Sequence, residues 1–76
     1  MRDQIKEIMK RVFHLAIIPD DISQKNCDKW DSMNHLNLVI ELEEAFDVSL
    51  EPEEIADMKD LVLVEKMIAE KIEKKL

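Results

Sequence analysis

Apolar residues recur at three- and four-residue steps near the start of the chain: Ile5, Ile8, Met9, Val12, Leu15 and Ala16, with Lys6, Glu7, Lys10 and Arg11 between them. That is the period of an amphipathic helix, and Pro19 marks its end because the residue before a proline is pushed out of the helical region. The polar stretch from Asp20 to Lys29 keeps no period, which predicts a connection of about a dozen residues, pinned to the core by Ile18 and Ile22. A second periodic run begins after Asp31, whose carboxylate suits the free amides at a helix start; Leu38, Leu42, Ala45 and Phe46 form its inward stripe. The pattern breaks at Asp47-Val48-Ser49-Leu50. Pro52, Glu53 and Glu54 then read as the first turn of a short third helix carrying Ile55 and Met58. Asp60 caps a last helix in which Leu61, Val64, Met67, Ile68 and Ile72 face inward, while Lys71, Lys74 and Lys75 complement the negative end of its dipole.

Composition agrees with four helices. Glycine is absent, the aromatics are only Trp30, Phe13 and Phe46, and 46% of the 76 residues are apolar, enough to collapse around one core. The expected fold is all-α, one domain spanning residues 1–76, with three longer helices, one short one and a long first loop. A chain of this size has little material left for a deep, water-excluding cleft. Its formal charge of −7 is unevenly spread. Residues 31–60 hold ten acids against Lys59 alone and sum to −9, leaving +2 for the rest. Such a field repels nucleic-acid phosphates and anionic lipid heads and favours basic partners. The single Cys27 and the absence of an apolar signal core point to a reducing, cytoplasmic setting. No apolar run approaches the roughly 18 residues that cross a bilayer. The start methionine and lysine-rich end suggest a discrete protein, expected to be a monomer.

The chemistry on offer is narrow. Without glycine there is no phosphate-cradling loop, and His14, His35 and Cys27 fall into no metal-ligand spacing. The carboxylates occupy solvated faces, without the sheltered pocket that acid–base work needs, so neither an enzyme nor a metal site is expected. What remains is Trp30-Asp31-Ser32-Met33 at the junction of loop and second helix. A serine opening a helix points its hydroxyl outward beside unsatisfied backbone amides, an end that favours a phosphate group. By itself, Asp-Ser before a helix is ordinarily just a cap.

The residues around it widen the reading. Asp31-Ser32-Met33, followed by Leu38-Val39-Ile40-Glu41-Leu42-Glu43-Glu44-Ala45-Phe46, resembles the Asp-Ser-Leu motif and second helix of acyl carrier proteins. Leu50, the acidic turn from Glu51 to Glu54, Met58, and the stripe of Leu61, Val64 and Ile68 continue that resemblance to the end of the chain. It implies an up-down helical bundle in which Ser32 bears 4'-phosphopantetheine, transferred from coenzyme A by a phosphopantetheinyl transferase that also recognises Asp31. Acyl-loading and acyl-processing enzymes with basic patches would dock on Met33, Leu36 and Ile40 and on the acids Glu43, Glu44, Glu53, Glu54 and Asp57. Met33 replaces the usual leucine nearly volume for volume. Asn34 and Asn37 stand where fatty-acid-synthesis carriers commonly have acids, and Trp30 with His35 looks more like a carrier for a specialised pathway, such as polysaccharide, lipid or secondary-metabolite assembly.

Plainer roles stand beside these. Trp30 is expected to anchor the loop by burial, His35 to be half-exposed, and Cys27 to be either a plain packing residue or an accidental oxidation site. In carriers of this family the core can part to admit an acyl chain, which sequence does not decide here. Two other functions compete: an acidic helical adaptor without a prosthetic group, and an aminoacyl or D-alanyl carrier.

Overall fold

Each periodic stretch becomes a helix in the computed structural model, which describes residues 1–75. These are α1 (Arg2–Phe13), α2 (Ser32–Phe46), α3 (Pro52–Asp57) and α4 (Leu61–Lys75). There is no strand among the described residues, only an isolated bridge between Ser23 and Asp60. α1 lies against α2, and α2 against α4. One core unites Ile5, Ile8, Met9 and Phe13 of α1 with Leu38, Val39 and Leu42 of α2, Met58 after α3, and Leu61, Val64 and Ile68 of α4. The long loop adds Ile18, Ile22 and Trp30.

Two expectations need correction. α1 stops at Phe13, well before Pro19: His14 turns left-handed at φ 56°, and the N–H groups of His14 and Leu15 both bond the Lys10 carbonyl. Leu15 packs from the loop and Ala16 is exposed, so the apolar period outlasts the helix. The early stop lets the chain double back and bury Ile18 and Ile22. On α2, the buried stripe is His35, Leu38, Val39 and Leu42, with Phe46 half-buried; Ala45 falls outside it and is exposed.

Capping accounts for the other boundaries. Asp47 ends α2 in a left-handed turn at φ 53°, its N–H on the Glu43 carbonyl. In a chain without glycine these two turns fall to His and Asp, residue types that tolerate the region better than most. Pro52 occupies the first turn of α3, and the Glu54 carboxylate accepts from the Glu51 N–H at 2.8 Å. The Asp60 carboxylate accepts from the Leu63 N–H at 2.8 Å and caps α4, as its position predicts. The first loop crosses the α3–α4 junction, where Gln24 N–H bonds the Lys59 carbonyl and Leu61 N–H bonds Ile22. Arg2 then ties α1 to α4 through a two-pronged pair with Glu65, at 2.8 and 3.1 Å. No helix of the described residues is long and apolar enough to cross a membrane.

Candidate functional site around Ser32

Ser32 is the first residue of α2 and is exposed. The backbone before it is extended at Asp31, whose Oδ1 accepts from the Asn34 N–H at 2.8 Å. This is the capping role expected of that aspartate. Asn34 then reaches back with its Nδ2 to donate to the Lys29 carbonyl at 2.8 Å, so cap and side chain together fasten the loop to the helix. The Ser32 hydroxyl is thereby presented at the positive end of a 15-residue helix, beside first-turn amides that have no partner within the helix.

Beneath the serine lies a buried polar pair. Trp30, 3% exposed, donates from Nε1 to His35 Nδ1 at 2.9 Å, and His35 Nε2 meets the Ile55 carbonyl at 2.7 Å. An indole nitrogen only donates and a carbonyl only accepts, so Nδ1 serves as the acceptor and Nε2 as the donor. His35 is therefore a buried strut, 9% exposed, and not the half-exposed residue that its polarity predicts. The reason is position, because His35 belongs to the same helical face as Leu38, Val39 and Leu42. That spacing was the available signal. The Trp30 ring also packs on Phe13, centroids 5.2 Å apart, joining the strut to α1. Removing one partner of such a buried bond leaves the other unsatisfied, at a cost of about 1–3 kcal/mol. Trp30 thus anchors the loop as expected and also shapes the site: with Gln24, Asp31, Ser32, His35 and Leu36 it lines an open groove of about 510 Å³.

An apolar strip runs along α2 from this groove. Met33, Leu36 and Ile40 are 74%, 56% and 57% exposed, one turn or so apart on the face predicted to hold them. The acids assigned to its flank divide into two kinds. Glu44, Glu53 and Asp57 are exposed. Glu43 and Glu54 are half-buried and bonded within the chain: Glu43 Oε2 accepts from the Leu50 N–H at 2.8 Å, and Glu54 pairs with Lys71 of α4 at 2.7 Å. The Lys71 ammonium, followed by the Glu51 N–H, holds the Glu54 carboxyl below the usual carboxylate range. These two glutamates brace the segment around α3. On the opposite side of the strip, Asn34, Asn37 and Ile40 share a groove with His14 and with Arg11 and Glu41, which pair with each other at 2.9 Å, so that flank carries little net charge.

The fold as a whole has a solved counterpart. The solution structure of a holo acyl carrier protein from Geobacter metallireducens superposes with a TM-score of 0.85 at 25% identity, over 97% of this chain and 87% of that one. The fold is that of an acyl carrier protein. No family model matches the chain, and no curated protein does. In this fold the six-residue α3 follows the 15-residue α2 and is joined to it through the bond between His35 and the Ile55 carbonyl. Cys27 lies away from Ser32, half-buried in an apolar groove with Leu15, Pro19 and Ile22, where it packs as expected.

Proposed function

We propose that this protein is a carrier that holds acyl groups on a 4'-phosphopantetheine arm attached to Ser32 and delivers them to partner enzymes, while doing no bond chemistry of its own. The observation that carries the reading is the exposed Ser32 hydroxyl at the capped start of α2, in a chain with the fold of a holo acyl carrier protein. The residues present fit the group: no side chain covers Ser32, and the groove beside it is open. The arm, when attached, supplies a thiol whose thioester keeps cargo activated at high local concentration.

Attachment is a single displacement. Ser32 Oγ attacks the pyrophosphate phosphorus of coenzyme A that bears the pantetheine, the phosphoanhydride bond breaks, 3',5'-ADP leaves, and the hydroxyl proton passes to a base on the transferase. Asp31 contributes by fixing the first turn. The exposed strip of Met33, Leu36 and Ile40 supplies apolar contact for the transferase and later enzymes, and Glu44, Glu53 and Asp57 meet their basic residues. The cytoplasm, where coenzyme A is made available, is the compartment that suits the reading.

The test is the intact mass of the purified protein before and after incubation with coenzyme A, magnesium and a promiscuous phosphopantetheinyl transferase. One phosphopantetheinyl unit should be gained, and Ser32→Ala should gain none. Folded protein that gains nothing with several transferases would reject the carrier reading in favour of an acidic adaptor.

A further inference from the structure

Resting on the carrier reading, we infer that this chain keeps its cargo outside the helical core, and that its cargo is therefore a small or polar acyl group and not a long alkyl chain. A tethered alkyl chain gains by leaving water, and the apolar interior among the described residues is the single core formed by α1, α2, α4 and the long loop. The groove beside Ser32 is walled on its inner side by Trp30 and His35, so the way from the serine to the core runs past them. That passage is closed by the buried strut: Trp30 Nε1 bonds His35 Nδ1 at 2.9 Å, and His35 Nε2 bonds the Ile55 carbonyl of α3 at 2.7 Å.

The closure is polar, and this decides its effect. Apolar side chains at the same place could slide apart and meet hydrocarbon on both sides without loss. Here, parting α2 from α3 would break the His35–Ile55 bond and expose an imidazole nitrogen and a backbone carbonyl to an alkyl chain that offers neither a partner. α3 is also held from its other sides. Glu54 pairs with Lys71 of α4 at 2.7 Å, and Glu43 of α2 holds the Leu50 N–H at 2.8 Å just before α3. Phe13 backs the Trp30 ring, so the indole has no vacant apolar space to swing into. A small or hydroxyl- or amine-bearing acyl group has no need of the core and is served by the open groove with its Gln24 rim.

The experiment loads the folded protein with butyryl- and with tetradecanoyl-phosphopantetheine from the matching acyl-coenzyme A, using a promiscuous transferase and confirming each product by mass. Methyl NMR shifts of Leu38, Leu42, Val64 and Ile68, hydrogen exchange of the Trp30 indole N–H, and Tm are then compared. The inference expects core methyl shifts, indole exchange and Tm to be the same in both loaded forms. Tetradecanoyl-specific shifts with faster indole exchange, or a Tm raised several degrees by the long chain alone, would overturn it. In the doubly apolar variant Trp30→Phe/His35→Leu the tetradecanoyl-specific shifts should appear; their absence there as well would show that the strut is not what excludes the chain, and would overturn the mechanism. Failure to load at all is read separately by mass and rejects the carrier reading on which the inference rests.

Discussion

His35 shows how one residue changes meaning between sequence and structure. As a lone histidine early in a helix it is unremarkable. In the fold it accepts from Trp30 and meets the Ile55 carbonyl, so three parts of the chain converge on one imidazole. Replacing it by leucine should destabilise by about 1–3 kcal/mol through the unpaired indole and carbonyl. Trp30→Phe in the same background should recover part of that loss, giving a coupling of about 1 kcal/mol in a double-mutant cycle measured by urea unfolding. Additive losses would mean that the two rings do not bond in solution. His35→Gln, which keeps an acceptor and a donor, should fall between wild type and leucine. The candidate serine was legible in the chain because its neighbours Asp31 and Met33 and the following helix form a linear motif. The strut was not, because its third member, Ile55, is twenty residues away and only the packing of α3 brings it in. The division of the acids was hidden for the same reason: nothing local distinguishes Glu54, bound to Lys71, from exposed Glu53.

Among the elements, α3 depends most on its neighbours. With six residues it is far too short to persist alone, and none of its residues is fully buried. It is kept by Pro52 and the Glu54 bond to the Glu51 N–H at one end, and by links to α2 and α4. A carboxyl whose pKa is lowered in the folded protein stabilises it above the ordinary carboxylate range and stops doing so as pH falls through the lowered value. Glu54 is such a group, its ordinary value being 4.5. Glu54→Gln should therefore have a lower Tm than wild type at about pH 6, and the two should converge as pH falls through the lowered value and Glu54 takes up its proton. A difference that persists unchanged at acid pH would show that Lys71 is not responsible. Existence and order of all four helices follow from apolar period and caps, and α4 begins where Asp60 predicts. The end of α1 does not follow, since Leu15 serves the core from a loop as well as it would from a helix, and the left-handed turn at His14 leaves no mark in a chain that lacks glycine.

At the scale of the whole molecule, charge and shape divide the labour. Residues 31–60 sum to −9 and include the exposed strip on α2, whereas the remainder sums to +2 and supplies the cations of internal pairs such as Arg2 with Glu65 and Arg11 with Glu41. On the carrier reading, association with a basic transferase should weaken as salt rises from about 50 to about 500 mM, with KM increasing and kcat little changed. Leu36→Asp should raise KM without lowering Tm, because Leu36 is 56% exposed and leaves no cavity. A salt-independent KM would remove charge steering from the account. The placement of Trp30 has one more consequence. It is the only tryptophan in the chain, and its indole is pinned close under Ser32. The ultraviolet emission of this protein therefore originates at a single address, beside the residue proposed to be modified. Its wavelength and anisotropy should register, without any label, each event that loosens or tightens that junction, so the molecule comes with its own optical gauge.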